Sequence, residues 1–307
     1  MYKRYQKRIE PLQVLGDYNI DNAIAEASNM KASKGDSIQF YPGGIAYEVF
    51  KSLAVIDKSF YMFLLKKGIN PLDPSPKDRE QESPIHRKIK PLVYYRYYFR
   101  KEGAVRSRKI VRFNHGKKHI YDLSDGNLRA FVNLMNELLK NVELDSNGNP
   151  KRIKLNIQAR VIEQFSREYF YPRIVFYPDS NIRYQNKTIS LQKIIDLIGN
   201  FFYRKIVIDD FSADPYSFFR FDENCPEEFR RFLEIALESG GILMTEDEAN
   251  IRGVRKGCKV YRLAYSLYPY YNLPQRDYNV VDLSRILYPL LSKIEKEKKG
   301  DQLSLNF

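Results

Sequence analysis

The chain has no tryptophan, three histidines and two cysteines among its 307 residues. The cysteines, Cys225 and Cys258, form no CxxC pair and have no histidine cluster beside them, so neither a disulfide framework nor a zinc knuckle is predicted. Reduced thiols are expected. No run approaches the roughly 18 apolar residues of a membrane span. The charged start MYKRYQKRIE also lacks the apolar stretch of a signal peptide. We therefore expect a cytoplasmic protein with no membrane partner.

A nucleotide-binding P-loop is missing as well. That motif, GxxxxGK followed by Ser or Thr, cradles phosphates with backbone N–H groups and a lysine. The glycines of KGDSIQ and YPGGIA have neither the lysine nor the spacing. The sequence therefore predicts that this chain alone holds no ATP.

The sequence also gives little support for metal-dependent catalysis. His115 and His119 lie four residues apart, but HGKKH lacks the glutamate of a metalloprotease pair, so both are expected to be solvated. In PDSNIRYQNK, Asp179, Gln185 and Lys187 faintly resemble a nuclease motif, yet one carboxylate supplies too few oxygen ligands. We interpret PDSN as a hairpin turn between IVFY and IRYQ. No catalytic residue and no metal site are predicted.

What the chain has in excess is positive charge. It carries 51 Lys and Arg against 38 Asp and Glu, a net charge of +13, which attracts polyanions. The segment from Arg87 to His119, here called the basic block, contains twelve Lys or Arg residues and one acid, Glu102, and so holds +11 of that charge. Five aromatic residues interleave with these charges: Tyr94, Tyr95, Tyr97, Tyr98 and Phe113.

The basic block has two interpretations. In the first, the basic side chains bind nucleic-acid phosphates while the aromatic rings stack on unpaired bases. In the second, a solvated basic surface covers a tyrosine-lined core, because the tyrosines also fit helical spacing. We favour the first, and name five contact residues: Arg100, Arg106, Arg108, Lys109 and Arg112.

The pattern of apolar residues predicts a mainly α-helical fold with a small β component. Helices are predicted over 124–140, capped by Ser124 or Asp125, over 190–203, capped by Ser190, and over 226–239. Strands are predicted over 242–245 and 259–267, joined by a polar tip, with a short third strand over 218–221. A helix, a Gly240-Gly241 exit and a long hairpin are typical of a winged helix.

The turn formers DSNGNP, residues 145–150, mark the main domain boundary. We predict a helical lid-like domain over 1–144 that includes the basic block, a winged-helix domain over 151–285, and a charged C-terminal tail over 286–307.

Two segments resemble a known family. YDLSDGNLRAFVNLMNELL, residues 121–139, resembles the lid of initiator-type AAA+ ATPases of the origin-recognition-complex class, and residues 227–276 are similar to the winged helix of bacterial relatives. The resemblance implies that Arg129, in the step Gly126-Asn127-Leu128-Arg129, is the sensor 2 arginine that reaches ATP phosphates. Without a P-loop, ATP and Mg²⁺ would belong to an ATPase core supplied elsewhere. The alternative is a structural Arg129 that pairs with a nearby acid.

These observations predict a DNA-binding regulatory portion of such an ATPase. The chain is either the C-terminal part of a longer protein or a relative that lost its ATPase core. In the winged helix we expect the hairpin to contact DNA through Arg252, Arg255, Lys256 and Lys259.

A protein-interaction module is the alternative function. The helix before the hairpin carries four acids, Glu227, Glu228, Glu234 and Glu238, against two arginines, and would repel a phosphate backbone. In this alternative the acidic helix and the segment YPYYNLPQRDY dock a partner protein, because tyrosine and arginine are common interface anchors.

Overall fold

The computed structural model describes residues 12–28, 40–76, 84–100, 113–245 and 259–304, with side chains described as far as Glu297. These residues are mainly α-helical with a small β component, which confirms the predicted fold class. Across these ranges, no helix combines the length and the apolar character needed to cross a bilayer.

In its N-terminal half the described chain forms α1 (Ile20–Ser28), α2 (Ile45–Ile56), α3 (Lys58–Lys66), α4 (Pro84–Arg100), α5 (Lys117–Leu123) and α6 (Leu128–Leu139). Asp57 separates α2 from α3 and caps α3, because its carboxylate accepts hydrogen bonds from the N–H groups of Ser59 and Phe60 at 3.0 and 3.2 Å. The long helix α4 packs against α1 and α2 and so forms the centre of this half.

The C-terminal half contains α7 (Leu155–Gln164), α8 (Tyr171–Val175), α9 (Leu191–Tyr203), α10 (Arg230–Glu238), α11 (Tyr268–Tyr271) and α12 (Leu283–Ser304). Two π-helical turns, Phe165–Phe170 and Arg204–Ile208, extend α7 and α9. Buried side chains from Val14 to Ile294 form one hydrophobic cluster. The predicted division at 145–150, where the chain does turn, therefore stays a prediction.

Two small sheets complete the fold. One is a hairpin of β1 (Asn181–Tyr184) and β2 (Lys187–Ser190). The other contains β3 (Tyr216–Arg220), β4 (Ile242–Thr245), β5 (Val260–Leu263) and β6 (Asn279–Asp282) in the order β4-β5-β3-β6. Strands β4, β5 and β3 are antiparallel, whereas β6 runs parallel to β3.

Most predicted elements are confirmed. The Ser190 hydroxyl accepts from the N–H of Lys193 at 3.3 Å and caps α9 as expected. The helix predicted over 226–239 consists of a 3-10 turn, Glu227–Phe229, followed by α10, and it ends at Gly240, whose φ of +75° suits glycine. Strand β4 has the predicted bounds, and β3 supplies the third strand.

The position of one hairpin turn and the end of one strand were predicted wrongly. The segment IVFY is not a strand, because Ile174 and Val175 end α8; the hairpin turn lies instead at Gln185 and Asn186, with φ of +46° and +62°. Strand β5 ends at Leu263 rather than Leu267, and a 3-10 turn, Tyr265–Leu267, leads into α11.

The predicted C-terminal tail also starts too early. Helix α12 crosses residue 286, and its apolar positions are buried as far along the chain as Ile294: Ile286, Leu287, Leu290 and Ile294. Packed residues therefore continue beyond residue 285, where the winged-helix domain was expected to end. The reason is that the three- and four-residue spacing of apolar residues continues into the charged segment.

A buried arginine joins the two halves of the fold. Arg96 of α4 is fully buried and donates from Nε to the Asp57 carboxylate. It also donates to the carbonyls of Ile206 at 2.9 Å and Asp209 at 2.5 Å, in and just after the π turn that ends α9. Carbonyl groups at a helix C-terminus are the negative end of the helix dipole, so this position favours a guanidinium.

Candidate nucleic-acid interface

The hairpin of β4 and β5 is the element predicted to meet DNA. Four residue pairs, from Ile242 opposite Leu263 to Thr245 opposite Val260, keep its strands in register. Gly241 allows a close approach at its base, because a Cβ atom there would lie 2.7 Å from Cγ2 of Ile174. Residues 246–258, here called the hairpin tip, lie outside the described residues, together with the predicted contacts Arg252, Arg255 and Lys256. The fourth contact, Lys259, is exposed beside β5.

The helix before the hairpin exposes an acidic face. Its four acids, Glu227, Glu228, Glu234 and Glu238, are all exposed. The two arginines of this face are engaged, because Arg230 pairs with Glu227 and Arg231 pairs with Glu234 at 2.9 Å. The helix therefore offers no free arginine to a nucleic-acid base.

Arg129 follows a tight turn that starts α6. Asp125 and Gly126 have φ of +49° and +74°, and the Asn127 side chain caps the helix by accepting from the N–H of Ala130 at 3.0 Å. The predicted caps, Ser124 and Asp125, were wrong, because Ser124 instead donates to a carbonyl of α5. Arg129 is exposed and pairs with no acid among the described residues, and its contact with ATP stays a prediction.

Asp125 links this turn to the hairpin. Its Oδ1 accepts from Nη2 of Arg262, on β5, at 2.7 Å, and its Oδ2 accepts from the N–H of Tyr265 at 2.5 Å. The Arg262 guanidinium also lies 3.8 Å from the centroid of the Tyr265 ring. Burial raises the pKa of Asp125, and the guanidinium of Arg262 opposes that rise. The turn that precedes Arg129 is thus held to the base of the hairpin.

A cleft of about 420 Å³ lies between these two elements. One wall is polar and consists of the turn residues Ser124, Asp125, Gly126 and Asn127. The other wall is mainly apolar and contains Phe170, Leu237, Ile242, Leu243, Met244 and Ala264. Leu237 and Met244 are partly exposed at its rim, which makes the cleft accessible from solvent.

Several residues of the basic block are engaged within the fold and others lie outside the described residues, whereas Arg87 and Lys118 are exposed. In α4, Lys88 pairs with Asp214 at 2.6 Å and Lys90 pairs with Asp21 at 3.1 Å. Arg100 lies 3.0 Å from the Asp57 carboxylate and donates from Nε to the carbonyl of Val207 at 2.6 Å. Its contact with nucleic acid stays a prediction. The remaining predicted contacts are outside the described residues: Arg106, Arg108, Lys109 and Arg112.

The aromatic residues of the basic block are not a stacking platform. Their side chains are all buried: Tyr94, Tyr95, Tyr97, Tyr98 and Phe113. Tyr95 and Tyr98 pack instead on the ring of Phe113, with centroids 4.6 and 5.4 Å apart. The expectation that these rings stack on bases was therefore wrong, because helical spacing turns them into the core.

The histidines were also misjudged. His115 and His119 are buried rather than solvated, and the ring of Tyr18 lies 5.1 and 5.4 Å from theirs. The N–H of Asn19 donates to Nε2 of His115 at 3.1 Å. Burial, with a smaller contribution from His115, lowers the pKa of His119 to about 3. Both side chains are therefore part of the core.

The structure offers no support for the nuclease motif. Asp179 lies in a turn with φ of +53°, and Lys187 pairs with Glu297 of α12. Within the described ranges, no three His, Cys, Asp or Glu side chains are grouped so that they could hold a metal ion. The side chain of Cys225 is a buried free thiol, and burial raises its pKa to about 12.

Sequence reasoning missed the Asp125–Arg262 pair. The two residues are 137 positions apart, and neither stands in a motif that marks a partner. The only local signal was Asp-Gly before Asn127, which predicts a turn but not the contact.

The absence of a P-loop leads to a direct prediction about Arg129. We expect the isolated chain to show no ATP binding in the micromolar range, because one exposed arginine cannot replace the convergent N–H groups and lysine of a phosphate cradle. Isothermal titration calorimetry with Mg-ATP measures this, and an Arg129→Ala variant is the control. Micromolar affinity that disappears in Arg129→Ala would contradict the prediction.

Comparison with protein families identifies this chain's family. The profile of the family described as ORC-CDC6-like matches residues 5–283, which is most of the chain. No curated protein and no solved structure matches it significantly.

Proposed function

The chain belongs to the ORC-CDC6-like family, and from this premise we propose that it is the DNA-binding regulatory part of an initiator-type assembly. The observation that carries the proposal is the hairpin of β4 and β5, which follows α10 directly and whose tip contains Arg252, Arg255 and Lys256. Basic side chains in a segment that connects two strands of a winged helix can neutralise phosphates and enter a minor groove by charge and shape.

We propose further that α10, β3, β4 and β5 are a winged-helix unit. The strand order β4-β5-β3, with α10 packed against β4, supports this assignment. In this unit the hairpin tip meets DNA and α10 does not, because the arginines of α10 are paired and its exposed acids repel phosphates.

The same geometry suggests how nucleotide could influence DNA binding. The Asp125–Arg262 pair holds the turn before Arg129 to β5, which leads directly from the hairpin tip. An ATPase core that contacts Arg129 would therefore act on the unit that carries the DNA contacts. This core is proposed to come from elsewhere, because the chain has no P-loop.

Replacing Arg252, Arg255 and Lys256 with alanine tests the DNA contact. We expect duplex affinity at moderate salt to fall on the order of tenfold to hundredfold, because up to three phosphate contacts are lost. The unfolding temperature should barely change, because charged side chains rarely belong to a core, and substitutions away from the core usually stay within about 0.5 kcal/mol. Fluorescence anisotropy with a labelled duplex over a salt series measures the affinity, and a thermal melt verifies the fold.

The matched control is Arg230→Ala with Arg231→Ala. These exposed arginines belong to the same unit but are paired with glutamates, so DNA affinity should stay close to that of the parent protein. An unchanged affinity of the folded triple variant, or an equal loss in the control, would contradict the assignment of DNA binding to the hairpin tip.

One observation keeps a second function under consideration. The acidic face of α10 is exposed and suits a basic protein partner. The tyrosine-rich segment 268–278 gives this alternative less support than expected, because Tyr268, Tyr271, Leu273 and Pro274 are buried. Loss of partner retention with unchanged DNA affinity in the hairpin-tip variant would favour the protein-interaction function.

A further inference from the structure

A polar cleft of about 420 Å³ lies where α9 meets α11 and the π turn that extends α7. It shares no lining residue with the cleft beside the β4–β5 hairpin. The volume lies in the range of about 300–1,000 Å³ that is usual for ligand sites. Its lining includes one acid, one arginine, two asparagines and two partly exposed tyrosines: Asp196, Arg167, Asn200, Asn272, Tyr203 and Tyr270.

Two buried tyrosines hold the carboxylate of Asp196, which lies on α9. The hydroxyls of Tyr171 and Tyr271 both donate to its Oδ1, at 2.9 and 2.6 Å. Gly199 lets the ring of Tyr271 pack on α9 at this point, because a Cβ atom there would lie 2.5 Å from that ring. Burial, with a smaller contribution from Asp196, raises the pKa of both tyrosines, so both hydroxyls stay donors at neutral pH. The orientation of the carboxylate is therefore fixed.

The second oxygen of Asp196 has no such partner. Among the described residues, Oδ2 accepts no hydrogen bond and the carboxylate forms no ion pair. The neutral oxygen of an asparagine would satisfy the two tyrosine hydroxyls equally well, so the hydroxyls do not explain the negative charge. A partly buried carboxylate without a counter-ion is unfavourable unless a ligand supplies N–H donors. Oδ2 is therefore the atom that a ligand in the cleft would meet.

The asparagines and tyrosines of the lining suit a flat, polar ligand. Asn200 lies on α9, and Asn272 follows α11 with φ of +55°. Neither side-chain amide has a hydrogen-bond partner among the described residues, so each can donate and accept. The rings of Tyr203 and Tyr270 are partly exposed and provide aromatic surface beside these amides. A planar ring that carries both donors and acceptors matches this combination.

A positive group lies at the edge of the cleft. The guanidinium of Arg167 is exposed and lies 5.4 Å from the centroid of the Tyr270 ring. It pairs with Glu163 at 3.3 Å, but the pair is solvent-exposed on the arginine side, and the guanidinium has further N–H donors for an anion. Together with the net charge of +13, this group favours a ligand that carries a phosphate over the basic side chain of a partner protein.

We propose that this cleft binds an unpaired guanine of single-stranded DNA. Among the DNA bases, guanine alone has two adjacent N–H donor groups, N1–H and N2–H₂, on its Watson–Crick edge, and Oδ2 of Asp196 with an asparagine oxygen can accept from both. The base stacks on tyrosine and its phosphate meets Arg167. In a duplex these donors are paired with cytosine, so the cleft selects unpaired DNA. The proposal rests on the DNA-binding function proposed above and adds a base preference to it.

Two oligonucleotides that differ at one base test the proposal with the full chain. Both are oligothymidines of equal length, and the central base is either guanine or hypoxanthine, which lacks the N2 amino group. Phosphate contacts elsewhere on the protein are the same for both, so the ratio of their affinities reports the base alone. Fluorescence anisotropy should show at least about fivefold tighter binding of the guanine oligonucleotide, the lower end of what a paired base contact contributes.

Asp196→Asn separates recognition from structure. The asparagine keeps an oxygen for both tyrosine hydroxyls but presents an NH₂ donor in place of Oδ2, which opposes the donors of guanine. The preference for guanine over hypoxanthine should therefore disappear. Glu168→Gln is the matched control, because it removes one negative charge from an exposed residue beside Arg167 that does not line the cleft. It should keep the preference, and duplex affinity should change equally little in both variants.

Three results would overturn the proposal. They are equal affinities of the parent protein for the two oligonucleotides, an Asp196→Asn variant that keeps the preference while circular dichroism reports a folded chain, and binding of an arginine-rich peptide that Asp196→Asn abolishes without any guanine preference. The last result would assign the cleft to a protein partner. Asn200→Ala with Asn272→Ala replaces Asp196→Asn if that variant does not fold, and the same outcomes apply to it.

Failure of this proposal is distinguishable from failure of the proposed function. The proposed function fails when the hairpin-tip variant keeps its duplex affinity. The guanine site fails when the ratio between the two oligonucleotides is one, whatever the duplex affinity is.

Discussion

Asp57→Ala is expected to destabilise the protein by about 3–5 kcal/mol, because it leaves the buried guanidinium of Arg96 without its counter-ion. The cost includes more than the ion pair. The Asp57 carboxylate also caps α3 through the N–H groups of Ser59 and Phe60. Urea denaturation followed by circular dichroism measures the change in the free energy of unfolding.

The effect should depend on pH in a defined direction. Burial by itself raises the pKa of Asp57, but hydrogen bonds from Arg96 and Ser59, with the charges of Arg96 and Arg100, outweigh burial and lower it. A carboxyl group with a lowered folded-state pKa contributes stability above its unfolded pKa, and loses that contribution as pH falls through the folded value. The difference between the parent protein and Asp57→Ala should therefore be full at pH 7 and shrink below about pH 4.

The matched control is Lys88→Met. The Lys88–Asp214 pair also joins α4 to the chain beyond α9, but both side chains are about one-third exposed. Solvent screens such a pair, so its loss should cost less than about 1 kcal/mol. A cost for Asp57→Ala no greater than that for Lys88→Met would show that the buried pair contributes no more to stability than the partly exposed one.

The second large effect is expected from charge reversal in the basic block. Replacing Arg106, Arg108 and Lys109 with glutamate should weaken duplex DNA binding about 10²–10³-fold at moderate salt, because each lost phosphate contact removes one released counterion. For the same reason, the slope of log affinity against log salt should flatten by about 2–3. Anisotropy titrations at several salt concentrations give both quantities.

A control of equal charge separates local contact from the overall field. Lys151, Lys193 and Lys293 are exposed and lie outside the basic block and the hairpin tip. Their replacement with glutamate lowers the net charge by the same amount, yet should cost much less affinity and leave the slope nearly unchanged. Equal losses in both triple variants would mean that net charge, and not the basic block, governs DNA binding.

The Asp57→Ala variant and the charge-reversal variant test different parts of the basic block. The first concerns the buried Arg96, and the second concerns the predicted phosphate contacts. Four basic residues of α4 form internal ion pairs or hydrogen bonds: Lys88, Lys90, Arg96 and Arg100. Residues Arg106, Arg108 and Lys109 remain the predicted phosphate contacts. A charge count over the whole block could not make this distinction, because pairing depends on acids that are distant in sequence, such as Asp57 and Asp214.

The sequence by itself determined the fold class, the main helices of the C-terminal half and the β4–β5 hairpin. Apolar spacing, Ser190 as a cap and Gly240 as a helix end are local signals, and each acts within one or two turns of chain. The helix predicted over 124–140 begins instead at Leu128, after a turn at Asp125 and Gly126, and its cap is Asn127. The family resemblance rested on these local segments and is confirmed.

Only the tertiary structure decided which charges and rings are free to act. The tyrosines of the basic block, His115 and His119 are buried, Arg96 is enclosed by Asp57 and backbone carbonyls, and Asp125 meets Arg262 across 137 positions of sequence. Helical periodicity states which residues share a side of a helix, but not which distant element covers that side. Whether a charged side chain is desolvated and paired depends on packing between segments that are distant in sequence. Desolvation and pairing distinguish a buried arginine such as Arg96 from an arginine that is available to DNA.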